Sequence, residues 1–98
     1  MRADKIFTKE NGDRYKVLVA LSVDSYGDKH FWDIIVYFCP KGKRKWSKVN
    51  CQDDYDYRVL DMKERDNYYK KFILSHIPSD WVVEVQQLII KELSKSIV

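Results

Sequence analysis

Glycine is scarce in this 98-residue chain, and turns account for every copy. Gly12, Gly27 and Gly42 fall fifteen residues apart, in Asn11-Gly12-Asp13, Tyr26-Gly27-Asp28 and Lys41-Gly42-Lys43. None is left for a phosphate-cradling loop or a dinucleotide fingerprint. Histidine is scarcer still, with only His30 and His76, and cysteine occurs only at Cys39 and Cys51. No C-x-x-C or H-x-x-x-H pair therefore anchors a zinc site, and two thiols are too few for a disulfide scaffold. A nucleophile elbow is also missing. The expectation is a chain that is not an enzyme and takes no metal or cofactor. Apolar runs stay well short of the roughly 18 to 20 residues that a membrane-spanning helix needs. The opening Met1-Arg2-Ala3-Asp4-Lys5 leads into no signal-type apolar stretch, so no membrane contact and a cytoplasmic location are expected.

Apolar residues make up 45 % of the chain and aromatics 14 %, enough to form a core although 34 % is charged. The length suits a single domain spanning 1–98, divided into a strand-rich part (1–50), a connection (51–60) and a helical part (61–98). The glycines mark the corners of a β-meander. Asn11-Gly12 in particular reads as a two-residue type I′ hairpin turn, which needs positive φ at both central positions. A short first strand is expected over Lys5 to Lys9. The second, Arg14 to Asp24, alternates Tyr15, Val17, Val19, Leu21 and Val23 against Lys16, Ser22 and Asp24. The third, Lys29 to Cys39, is apolar on both faces, as suits a central strand. A two-residue turn at Tyr26-Gly27 sets Leu21 opposite Trp32 and Val19 opposite Ile34, so the richest apolar rows share one face. A weaker edge strand covers about Arg44 to Asn50, with Pro40 where the third strand ends. Its hairpin pairs Cys39 with about Trp46, which leaves Cys51 roughly 16 Å away along the strand and both thiols reduced.

The connection from Cys51 to Leu60 is dense in Asp and Tyr. Asp61, with Glu64 three residues on, signals the N-cap of a helix. Its apolar stripe is Met62, Tyr69, Phe72, Ile73, His76 and Ile77, and Pro78 stops it. Ser79 then caps a second helix with the stripe Val82, Val85, Ile89 and Leu93, joined by Trp81 and Leu88. A further row, Val83, Ile90 and Ile97, makes the apolar arc wider than one-sided burial requires. The fold expected is α+β: an antiparallel meander of three to four strands followed by two C-terminal helices packed on one face, ββββαα. The other face stays open and carries Leu18, Phe31, Ile35 and Tyr37.

Charge is uneven. Residues 1–49 hold eleven Lys or Arg against six Asp or Glu, net +5, whereas 50–98 hold seven against nine, net −2. The densest basic cluster, Lys41, Lys43, Arg44, Lys45 and Lys48 with Trp46 among them, suits phosphate contact with the indole stacked on an unpaired base. Next comes Asp53-Asp54-Tyr55-Asp56-Tyr57, which lacks the central glycine and distal glutamate of a Ca²⁺ loop and reads as a solvated or acidic-aromatic contact segment. Asp33 is the odd residue inside a strand. It needs no explanation if solvated, with Arg14, Lys16 or Lys48 as neighbours, and becomes a site candidate only if covered.

Two function classes follow. One is a non-enzymatic protein-interaction module using the open face and exposed aromatics, with Phe31, Tyr37, Tyr55, Tyr57 and Ile90 as partner-binding candidates and homodimerisation through the C-terminal helix as one form of it. In size and composition, rich in Lys, Tyr, Asp and Ile, the chain resembles proteins that viruses of bacteria and mobile elements use to inhibit or redirect host nucleic-acid-handling or defence complexes. The alternative is nucleic-acid binding by the basic hairpin 41–48. Its Gly42-Lys43-Arg44-Lys45-Trp46 turn before a helix is loosely similar to the three-strand-plus-helix DNA-binding domains of plant transcription factors and phage integrase arms. It departs from them in its apolar strand face and its acidic connection.

Overall fold

The computed structural model describes residues 1–23, 30–51 and 53–96, without the side chains of Val23, His30, Phe31 and Ser96. The expected corner at Gly27, the strand ends at Asp24 and Lys29, and Ile97 lie outside the described residues. Four strands, β1 (Arg2–Thr8), β2 (Arg14–Val23), β3 (His30–Cys39) and β4 (Ser47–Lys48), form one antiparallel sheet in the order β1-β2-β3-β4. Helices α1 (Tyr55–Arg58), α2 (Met62–His76) and α3 (Ser79–Ser96) follow. The meander and the C-terminal helices give the α+β order expected.

Register follows the hydrophobic pattern. Val17 pairs with Val36, Val19 with Ile34 and Leu21 with Trp32, as the strand alternation requires. On this face Phe7, Tyr15, Val17, Val19 and Val36 are buried against Ile73 of α2, Ile77, and Val82, Val85 and Ile89 of α3. The helix α3 packs against β1 and β2 alike. The rings of Phe7 and Trp81 stack at 4.7 Å. On the other side of the core, the Tyr69 hydroxyl of α2 donates to the Val49 carbonyl at 3.5 Å, holding α2 near the β4 edge. Helix α3 covers the face of Val17, Val19 and Val36, while the opposite face, bordered across a groove by the start of α2, stays more open.

Several local expectations are corrected. The first strand runs from Arg2 rather than Lys5, because its ladder with β2 continues to Met1, whose carbonyl accepts from Leu21 N at 2.8 Å. Its apolar alternation is weak because, of the inward-facing Ala3, Lys5 and Phe7, only Phe7 is a large buried apolar side chain. The first corner is not a two-residue turn: Lys9 N donates to Asp13 O at 2.8 Å and Gly12 N to Lys9 O at 2.9 Å, closing a loop of Glu10, Asn11 and Gly12. Only Gly12 takes a positive φ, 94°, the single left-handed position that a three-residue hairpin with a glycine bulge needs. The last strand shrinks to Ser47–Lys48. The connection holds a four-residue helix, α1, which its Asp and Tyr content conceals.

The Asp61 side chain does cap α2, accepting from Glu64 N at 2.8 Å. The stripe of α2 is narrower than its spacing suggests, because Met62 at 86 % exposure and His76 lie outside the core. The His76 ring instead packs on Phe72 at 4.6 Å. Ser79 is the first helical residue of α3 rather than a residue before it. Leu88, Val83 and Ile90 stay 40–49 % exposed, so the arc of α3 is wider than its buried stripe. None of the described helices is long and apolar enough to cross a membrane.

Candidate binding surface

The register lays out the open face in rows across the strands. One row reads Ile6, Lys16, Tyr37, Lys48, so a tyrosine on the central strand has a lysine on each neighbouring strand. The next row towards the other end of the sheet reads Asp4, Leu18, Ile35, and beyond it Arg2, Ala20, Asp33. Leu18, Ile35 and Tyr37 are half-buried. Asp33 is exposed and accepts from the Ser22 hydroxyl at 3.0 Å. Its row neighbours are Ala20 and Arg2, not the expected Arg14, Lys16 or Lys48, because those lie two or more rows away.

At the turn end, the first and last corners are tied together by a side-chain acceptor. Asp13 Oδ1 accepts from Lys41 N at 2.8 Å while Asp13 N donates to Asn11 Oδ1 at 2.9 Å. The Lys41 side chain lies over Gly12, where a Cβ would come within 2.7 Å of its Cδ and the flexible lysine would have to shift. Lys43 N donates to Pro40 O at 3.0 Å, and Gly42 has φ 78°, so the basic turn is an ordered corner. The Arg14 guanidinium lies 5.2 Å from the Trp46 ring centroid and reaches Lys43 O at 3.4 Å. Trp46 is thus half-buried with a cation on its ring, while Lys41, Lys43, Arg44, Lys45 and Lys48 are exposed. Cys39 is fully buried and donates to Lys43 O at 3.1 Å. Both cysteines are unpaired thiols, as expected.

A groove of about 550 Å³ lies over the open face, lined by the sheet from Arg2 on β1 to Lys48 on β4 and by the start of α2. Leu18, Ile35 and Met62 contribute apolar surface, and Arg2, Lys48, Arg65 and Lys70 contribute cations opposed by Asp33 and Asp66. Some of this charge is already paired: Lys70 lies 3.1 Å from Asp66. Arg65 donates to the carbonyls of Tyr57 and Arg58 at 3.2 and 2.7 Å, closing the C-terminal end of α1 against α2. Tyr69 lines the same groove. Burial, followed by the proximity of Cys51, Tyr37 and Tyr57, pushes its phenol up to about 12. Burial and the nearby Asp54 carboxylate also raise the Cys51 thiol.

The partner-binding candidates do not form one patch. Tyr37 is on the open face and Tyr57 in the groove, packed at 5.9 Å on Tyr68. Tyr55 projects from α1 at 77 % exposure, and Ile90 is 41 % exposed on α3, on the opposite side of the sheet. The Phe31 side chain is outside the described residues. Sequence reasoning missed Arg2, Lys16 and Arg65. For Lys16 a signal existed, since its strand parity places it beside Leu18 on the face away from the core. Among the described residues, no group of three or more His, Cys, Asp or Glu could hold a metal ion. No protein-family model, curated protein or solved structure matches this chain.

Proposed function

We propose that this chain is a non-enzymatic protein-interaction module that docks its open sheet face on an acidic, partly apolar protein surface. One observation carries the reading. The open face sets Leu18, Ile35 and Tyr37 among Arg2, Arg14, Lys16 and Lys48, with only Asp4 and Asp33 of opposite sign in its described rows. Apolar area rimmed by one sign of charge marks partner surfaces, and the complementary sign on the partner steers encounter. The module acts by occupying its partner. That is the mode of the phage- and mobile-element-type inhibitors of nucleic-acid-handling or defence complexes that the chain resembles in size and composition.

The test is capture of a discrete partner by the immobilised protein, with and without nuclease, comparing wild type with Tyr37→Asp, Lys16→Glu and Ile90→Asp. Capture that survives nuclease, drops in Tyr37→Asp and Lys16→Glu and persists in Ile90→Asp is the expected pattern. Loss in Ile90→Asp alone would transfer the interaction to α3.

A second reading rests on the row Lys16-Tyr37-Lys48 leading to the exposed Lys43, Arg44 and Lys45. An aromatic between cations is what a single-stranded nucleic acid stacks and neutralises its phosphates on. It predicts an affinity for single strands that falls with salt at a log–log slope of about −3 for some four phosphate contacts. A flat salt response would remove it.

A further inference from the structure

The outer side of β1 has no neighbouring strand among the described residues, and the hydrogen-bond phase of the sheet shows what that side offers. Met1 and Leu21 exchange both backbone bonds, at 2.8 and 3.3 Å, and Lys9 N donates to Asp13 O at 2.8 Å. In an antiparallel ladder such pairs alternate. Residues 3, 5 and 7 therefore turn their backbone groups towards β2, and Arg2, Asp4, Ile6 and Thr8 turn theirs outward. These outward residues are all exposed, Ile6 by 49 %. No proline, and no bulge in its continuous pairing with β2, interrupts this edge.

We propose that a second copy of this chain pairs with this edge, β1 against β1 in antiparallel sense about a two-fold axis at Ile6, giving one eight-stranded sheet with a continuous open face. Charge selects the register. A two-fold axis perpendicular to the sheet brings one residue of β1 opposite its own copy, and only axes at Asp4, Lys5 or Ile6 leave five or more residues of each strand paired. The first sets Asp4 against Asp4 and the second Lys5 against Lys5, like charges directly opposed. The third sets Ile6 against Ile6, Asp4 against Thr8 and Lys5 against Phe7, with no like-charge pair. It satisfies about six backbone hydrogen bonds through the outward groups of residues 4, 6 and 8.

The helices permit this junction and enlarge it. Each α3 packs against β1 and β2 alike, so two copies would set their α3 axes about 10 Å apart, within ordinary helix-packing distance. Trp81 stacks on Phe7, and Glu84 forms an ion pair with Lys5. The helical repeat carries that flank on to Leu88, which is 40 % exposed. Apolar surface thus borders the edge on both faces of the sheet: Ile6 on the open side and Leu88 on the helical side. This dimer does not depend on which partner the open face takes.

Single cysteines read the register directly. Residues on the axis in a hydrogen-bonded pair have Cα atoms about 5.5 Å apart, within disulfide reach. With oxidised glutathione as electron acceptor, Ile6→Cys is expected to form a covalent dimer, whereas Asp4→Cys and Lys5→Cys stay monomeric. The native thiols supply no competing reaction, because Cys39 and Cys51 are buried. Solution mass should rise from 11.8 kDa towards twice that value with concentration and return to the monomer in Ile6→Lys. The melting temperature of dilute Ile6→Lys should match dilute wild type, which separates lost pairing from lost folding. A wild-type mass that stays monomeric up to about 1 mM would overturn the dimer, since even a weak interface associates in that range. Cross-linking of Asp4→Cys or Lys5→Cys as fast as Ile6→Cys would overturn the register.

Discussion

The two faces of the sheet come from the same strands, yet they end in different environments. Val17 and Val19 have no exposed surface, while Leu18 between them remains half-buried. Val36 is fully buried, and Ile35 and Tyr37 on either side of it are not. Residue type does not separate these neighbours, since leucine and isoleucine are at least as apolar as valine. The difference is the layer above them, where Ile73, Val85 and Ile89 close one face and only the start of α2, across an open groove, borders the other. A strand apolar on both sides therefore does not mean two covered sides. In this chain it means one core and one surface with apolar area left for contact.

The contrast breaks most directly in the core. Ile73→Ala removes a fully buried side chain and should lower unfolding stability by about 3 kcal/mol in urea denaturation. Leu18→Ala should lose less than half as much. Equal losses would show that the open face is covered in solution. Asp61→Ala tests how the covering layer is anchored, since it removes the acceptor of Glu64 N, and should cost about 1 kcal/mol.

The boundary between the two faces is sensitive to alkali. The folded protein holds the Tyr69 proton more tightly than the unfolded chain, with a pKa of about 12 against an ordinary 10.0. Stability is therefore intact below pH 10 and declines as the pH rises towards 12, by somewhat under about 1 kcal/mol once screening by solvent at the groove is allowed for. Tyr69→Phe should flatten that part of the decline in a pH series of thermal melts. The smallest effect is expected from Lys48→Glu, an exposed change on the open face that should leave stability within about 0.5 kcal/mol. An intact fold with weakened partner capture would assign that lysine to binding rather than to folding.

Much of this was legible in the residues themselves. The corners at Gly12 and Gly42, the alternation in β2, and Asp61 followed by Glu64 each encode a local geometry through φ, side-chain parity or a short hydrogen bond. Local rules also carried the pairing of Val19 with Ile34, because parity and turn length together leave little freedom. Expectations failed where a local signal was shared by two outcomes. Met62 and His76 fit the helical spacing of a core stripe, but α2 meets the rest of the molecule along a narrower line through Ile73. Arg65 gave no sign in the sequence of its hold on the carbonyls of Tyr57 and Arg58, since that contact joins separate helices.

Sequence alone thus determined the four strands and two long helices, their order, the registers of β3 with β2 and β4 and the placing of basic residues in the sheet half, because each depends on neighbours a few residues away or across one turn. Tertiary structure decided which face of the sheet became core, that Lys16 and Lys48 flank Tyr37, that Trp46 lies under Arg14, and that the β1 edge has no neighbouring strand among the described residues. Those outcomes depend on where α2 and α3 come to rest. That position is set by the combined burial of distant side chains rather than by any local preference of the chain.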